Sequence, residues 1–315
     1  MLTLADPDTD FFHVPVMRDE VLDALDRAPA GPIVDATLGG AGHALALLER
    51  RADIELHGID QDAVAMAVAR ERLAAHADRV HTHPVRFDAA ADALDDAGVD
   101  EISGFLMDLG VSSPQLDHAD RGFSYRHDGP LDMRMDRDRT LTAADVVNGY
   151  ELGELIDVLR SYGDERHAPR IVRAIIAARP IEGTAALADV IRNAVPAAAR
   201  RAPGHPAKRS FQAIRIEVNA ELAILTASVD ALIDRLAEGG IGLVLTYHSG
   251  EDRIVKDRMR QAIDGDAPAG LPITTDFDWF WRGAHTPTDE EIERNPRAKS
   301  ARLRAIVRTR GSADG

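Results

Sequence analysis

Four apolar runs, each closed by a turn and followed by a helical stretch, fill residues 32–110. They are "PIVDATL" (32–38), "IELHGID" (54–60), "RVHTHPVRF" (79–87) and "ISGFLMDLG" (102–110). Between them lie "ALALLERR", "QDAVAMAVARERLAAH" and "DAAADALDDAG", whose apolar residues recur at helical spacing. Parallel strands need crossover helices, so this alternation predicts an α/β fold with a doubly wound, mostly parallel sheet. An open sheet of that kind binds its ligands outside the carboxyl ends of its strands.

The alternation then stops. Residues 111–139 are polar and rich in turn signals, and residues 140–196 carry only helical patterns punctuated by Gly and Pro. "SFQAIRIEVNAELAILTASVDALIDRLAEGG" (210–240) reads as one long helix closed by Gly239-Gly240. "IGLVLTYHS" (241–249) resumes the strand pattern, and "LRAIVRT" (303–309) reads as a last strand. The expected organisation is a sheet domain over 1–137 and 213–315, interrupted by an all-helical insertion over 138–212. A chain of 315 residues is long enough for two such units.

Composition narrows the function. There is no cysteine, which excludes disulfides and thiolate metal sites. No run of about 18 apolar residues occurs, so no membrane span is expected, and the acidic start "MLTLADPDTD" lacks the pattern of a secretory signal. A cytoplasmic protein, monomeric or homodimeric, is the expectation. The 53 acids against 37 basic residues give −16, which by itself argues against a nucleic-acid partner. The distribution argues otherwise. Residues 294–310 carry seven basic side chains and no acid; Arg200, Arg201, Lys208, Arg209 and Arg215 form a second set. Arg121, Arg126, Arg134, Arg137 and Arg139 form a third, with acids interspersed.

Three strand ends carry candidate chemistry. "DATLGGAGH" gives the first a glycine turn, but Leu45 stands where a dinucleotide fingerprint would place its third glycine. Asp60 ends the second run, where an acid can accept ribose hydroxyls; its rival role is to cap the following helix. Asp108 ends the fourth run and is followed by "LGVSSPQ". Phe87, after the third, is placed to stack on an adenine or to fill the core. A nucleoside site without a phosphate cradle suits S-adenosylmethionine better than NAD.

"HVPVM", "DATLGGAGH", "GID", "MDLGVSSPQLDHADRGFSYRHDGPLDMRMD", "YGDERHAPRIVRAI", "GHPAKRSFQAIRIEVNAEL" and "YHSGEDRIVK" resemble the RsmH (MraW) family, from about His13 to about Arg310. That resemblance implies a class I (Rossmann-like) methyltransferase that uses S-adenosylmethionine to methylate N4 of a cytosine in 16S ribosomal RNA of the small ribosomal subunit. It implies cofactor contacts at Ala41, Gly42, His43, Asp60, Phe87, Asp108 and Gln115. Two departures stand out. Ala41 replaces a glycine of the family turn, which is expected to crowd the cofactor. Gly250 in "HSGEDR" is expected to loosen the turn after His248.

The N4 lone pair of cytosine is delocalised into its ring, so the amine needs orientation more than deprotonation. Acceptors near N4 also stabilise the positive charge that grows there. Asp108 is the first candidate, with Ser113 and Pro114 forming a wall beside it. His248 is the second, placed to take a proton late. No metal is required. Phe123 and Tyr125, loop aromatics flanked by arginines, are expected to stack on RNA bases. The rival from another class is a non-catalytic RNA- or ribosome-binding protein with a degenerate nucleoside fold, which would have lost the acids at its strand ends.

Overall fold

The computed structural model describes residues 15–201, 204–265 and 275–309. Its sheet has seven strands in the order β3-β2-β1-β4-β5-β7-β6. They are β1 (Gly31–Asp35), β2 (Ile54–Ile59), β3 (Val80–His83), β4 (Ile102–Asp108), β5 (Leu236–Thr246), β6 (Phe277–Trp279) and β7 (Arg302–Arg308). The first five are parallel, and β7 runs antiparallel between β5 and β6. The α/β sheet read from the alternation is therefore present. The chain winds outward from β1 in one direction and from β4 in the other, so the order reverses between them. Register pairs Asp35 with both Gly58 and Leu106, and Asp108 with Leu245. The strands β1, β2, β4 and β5 thus finish at the same edge of the sheet, β1 two residues short of β4, at the place where such a sheet opens a crevice.

Apolar cores cover both faces. One packs the helices Arg18–Leu25, Gly42–Arg50 and Ala63–Arg72 against the sheet. The other packs Ala90–Asp96, Glu221–Asp234 and Ser249–Asp264. A third core belongs to the helical insertion between β4 and β5. It draws on Phe123, Leu131, Met133 and Met135 at one end and on Phe211, Ile214 and Val218 at the other. The loop after β4, before the expected insertion over 138–212, thus supplies apolar side chains to the core of these helices.

The expected long helix over 210–240 is two helices, Lys208–Asn219 and Glu221–Asp234. Ala220 breaks them in the left-handed region at φ 55°. The Asn219 side chain explains the break: its Nδ2 donates to the Met133 and Arg215 carbonyls, and its Oδ1 accepts from the Met135 N–H. Gly239 and Gly240 close no helix; they lie inside β5, which begins at Leu236. The short strand β6 carries no alternation that sequence reading could detect.

Candidate active site

The turn after β1 is held by backbone geometry. Gly39 has φ +49° and its N–H donates to Asp60 Oδ2 at 2.7 Å. Ala41 has φ +58° and is fully buried, so its methyl enters the core and does not crowd the crevice. The cost of alanine there is backbone strain, on the order of 1–2 kcal/mol. Gly42 must be glycine for packing, since a Cβ would lie 2.6 Å from Pro15 Cγ. A Cβ at Gly40 would meet nothing within 4 Å. His43 is buried; its Nε2 lies 3.0 Å from the Val16 carbonyl, so that nitrogen carries the proton. Its Nδ1 is 3.9 Å from Asp108 Oδ2. Burial lowers the His43 pKa and keeps the ring neutral.

Asp60 does not cap the next helix. Asp62 does, accepting from the Val64 N–H at 3.0 Å. Asp60 accepts one N–H on each oxygen, from Gly39 and from Asp62. Burial pushes its pKa up to about 6, against the pull of those two N–H groups. Asp62 is tied in turn to Arg121 at 2.8 Å and to the Gln115 amide at 3.0 Å, all three side chains being buried. Gln115 also accepts from the Ser112 N–H. The structure therefore places Gln115 in a buried polar knot that locks the chain after β4 onto the end of β2.

Asp108 sits at the centre. Its N–H donates to Thr37 Oγ1, and its Oδ1 accepts a 2.6 Å hydrogen bond from the Tyr247 hydroxyl. Gly110, at φ +106°, turns the chain where a Cβ would touch Tyr247. Asp35 lies buried beside this pair, accepting from the Thr37 N–H. Burial, with the charges of Asp108 and Asp60 adding to it, raises its pKa to about 7. Sequence reading missed Tyr247; the signal was an aromatic residue directly after an apolar strand, two residues past the Leu245 that pairs with Asp108.

His248 is held in a structural role. Its Nδ1 caps the helix Ser249–Asp264 by accepting from the Glu251 N–H, and its Nε2 lies 3.0 Å from Glu251 Oε1. Glu251 Oε2 accepts from the Tyr247 and His248 N–H groups. Burial alone would raise the Glu251 pKa, but His248, Arg215 and the Tyr247 N–H more than offset it. Gly250 therefore does not loosen this turn: the capping box closes it, and a Cβ there would press on the His248 ring at 3.2 Å.

Phe87 opens a short 3-10 turn after β3 and packs against the sheet core. The backbone of Ser113 and Pro114 opens the short helix Ser113–Asp117, while their side chains lie outside the described residues. Ser112 Oγ beside them is buried without a hydrogen-bond partner among the described residues. Phe123 is a core residue of the helical lobe at 5% exposure, so it is not a base-stacking surface. Tyr125 is half-buried and stacks on His205. The basic sets are also corrected. Arg215 grips Glu221 with two bonds, Arg304 grips Asp252, Arg134 grips Asp132, and Arg121 is the buried partner of Asp62. Pairs distant in sequence, such as Arg304 with Asp252, are invisible to a count of local charge. Arg200, Arg201, Lys208 and Lys299 are exposed, and Arg310 lies outside the described residues.

Among the described residues, no helix is long and apolar enough to cross a membrane. Residues 10–309 match the MraW methylase family. The chain is 49% identical over 309 residues to the "Ribosomal RNA small subunit methyltransferase H" of Thermobifida fusca, covering 95% of this chain and 94% of that one. It is 48% identical over 316 residues to the protein of the same name from Renibacterium salmoninarum, covering 95% of each. A solved rRNA methylase from Streptococcus thermophilus aligns with 95% of this chain and 99% of its own at 10% identity and a TM-score of 0.43.

Proposed function

This chain belongs to the MraW methylase family, and from that premise we propose that it transfers a methyl group from S-adenosylmethionine to the N4 amine of a cytosine in 16S ribosomal RNA. The observation that carries the reading is the convergence of Asp35, Asp60 and Asp108 at neighbouring ends of β1, β2 and β4, close enough that both other carboxylates act on Asp35, with Tyr247 oriented on Asp108. Burial raises the pKa of both Asp35 and Asp60, and carboxylates perturbed in this way cluster at functional sites, which supports a catalytic crevice over a degenerate one.

The crevice suits an adenosine without phosphates. It presents the carboxylates of Asp35, Asp60 and Asp108, a Cβ at Gly40 would meet nothing within 4 Å, and Ser112 Oγ is a buried polar atom without a partner among the described residues. Among the described residues each Asp60 oxygen accepts one backbone N–H, which leaves a second lone pair on each to take ribose hydroxyls. Ala41, Gly42, His43, Phe87 and Gln115 would line or brace the same pocket. When bound, the cofactor supplies a methyl group on a positively charged sulfur.

The protein's own contribution is orientation. Asp108 accepts an N–H of the target amine, which fixes the plane of the base. Tyr247 holds that carboxylate by its other oxygen, and burial raises the tyrosine's pKa well above 10, so it stays a donor. As the amine gains positive charge, a fixed carboxylate stabilises it without reorganising. His248 acts here as a positioning residue: through Glu251 it sets the backbone from which Tyr247 projects. The target base must leave its stack to reach such a crevice. The helical lobe and the exposed Arg200, Arg201 and Lys208 are assigned to gripping RNA backbone.

The test is incorporation of labelled methyl from S-adenosylmethionine into small subunits purified from cells lacking the enzyme, with digestion of the product to nucleosides. N4-methylcytidine is the expected product. Label in another nucleoside would overturn the specificity, and no label with intact RNA binding would favour the non-catalytic alternative.

A further inference from the structure

The edge of the sheet carries a second cluster that methyl transfer does not use. Parallel pairing of β2 with β3 sets His57 directly opposite His81 and leaves His83 one step beyond on the same face. Glu55 shares that face two residues before His57, since side chains alternate along a strand. One donor atom from each of Glu55, His57 and His81 lies within 4.8 Å of the others. The His57 and His81 rings stack at 4.8 Å, and the His57 and His83 rings at 5.4 Å.

The hydrogen bonding around His57 is the second observation. Its Nδ1 lies 3.1 Å from His83 Nε2, while its own Nε2 is buried with no hydrogen-bond partner among the described residues. The residue is 2% exposed. If Nδ1 carries the proton and donates it to His83, then Nε2 keeps a bare lone pair and is the nitrogen of that ring left to take a ligand. That is the arrangement of a metal-binding imidazole, whose second nitrogen is anchored by a neighbour that fixes the tautomer. An orphaned buried acceptor is otherwise destabilising, and a bound metal ion removes that cost.

We propose that Glu55, His57 and His81 form a zinc site at the sheet edge, with His83 positioning His57. Two imidazoles and one carboxylate are a common three-ligand set for zinc, which leaves a fourth position to water. Glu55 and His81 are exposed, so small side-chain rotations bring their donors in from 4.8 Å to coordination distance. The site is separate from the crevice. His57 stands three residues before Asp60, roughly 10 Å back along the strand. A metal there would clasp the four-residue edge strand β3 to β2, just upstream of Phe87.

The experiment is calorimetric titration of the metal-stripped full chain with zinc chloride, repeated for His81→Ala, His83→Ala and the exposed control His118→Ala. The expected result is one zinc ion per chain for the parent and the control. His81→Ala should abolish that binding, and His83→Ala should weaken it about 10–100-fold, the range for groups that orient a ligand. Without zinc, His118→Ala should melt like the parent, while His83→Ala, which removes the partner of the buried His57 Nδ1, should melt lower. At zinc just saturating for the parent, the rise in melting temperature should be full for parent and control, smaller for His83→Ala and absent for His81→Ala. No saturable binding to the parent, or binding that survives His81→Ala unchanged, would overturn the proposal.

Discussion

The Tyr247 hydroxyl donates to Asp108 Oδ1 at 2.6 Å, joining the residue after β5 to the last residue of β4. Each would be ordinary alone. Together they fix a carboxylate at the reversal point of the sheet, facing the imidazole of His43 at 3.9 Å.

Tyr247→Phe is expected to lower kcat for methyl transfer while leaving the KM for S-adenosylmethionine within about twofold. A hydrogen bond to a charged group contributes about 1.5–3 kcal/mol, or about one to two orders of magnitude in rate. Steady-state kinetics on small subunits checks it. An unchanged kcat would mean that Asp108 needs no partner to hold its place.

Asp35 sets a pH dependence of stability. Its folded pKa, about 7, lies above the ordinary 3.8 because burial disfavours the charge. The folded state therefore holds a proton that the unfolded state has released, and stability falls as pH rises through that window. Asp35→Asn keeps the acceptor for the Thr37 N–H and removes the charge. Its melting temperature should gain on the parent as pH rises from about 4 to about 7 and level off above, following the two pKa values. A constant difference across that range would show that Asp35 does not titrate there.

The Asp62–Arg121 pair, with side chains 6% and 8% exposed, anchors the chain after β4. Arg121→Met leaves a buried carboxylate without its cation and should cost about 3 kcal/mol or more. Urea unfolding measures it. A loss below about 1 kcal/mol would place this pair with weak surface bridges.

Arg200, Arg201 and Lys208 are exposed on the helical lobe. Replacing all three with glutamine should weaken RNA binding and flatten its log–log salt dependence by about 0.7–0.9 for each phosphate that is no longer neutralised. An unaltered slope would move the RNA surface elsewhere. Replacing the paired Arg215 should instead lower the melting temperature.

Much of this was legible in the sequence because short-range pattern encodes it. The alternation over 32–110 placed β1 to β4, and with them Asp60 and Asp108, since each acid interrupts an apolar run. What was hidden depends on distant partners. The break at Ala220 follows from Asn219 reaching Met133 and Met135, more than 80 residues away. Phe123 looked like an exposed loop aromatic because the core it fills is built by later helices. The basic runs looked free because a count of local charge does not show that Asp62, Glu221 and Asp252 fold against them. Tyr247 carries no motif; only the pairing of β4 with β5 brings it to Asp108.

The central claim, that Asp108 orients the amine, is tested most directly by Asp108→Ala in the methyl-incorporation assay, with the variant's melting curve alongside. Asp108 is half-buried at a strand end, so the fold should persist. Loss of a preorganised polar group at such a site costs on the order of 10²–10³ in rate. A loss of that size at a near-parental melting temperature is the expected result, and incorporation near the parental rate would contradict the claim.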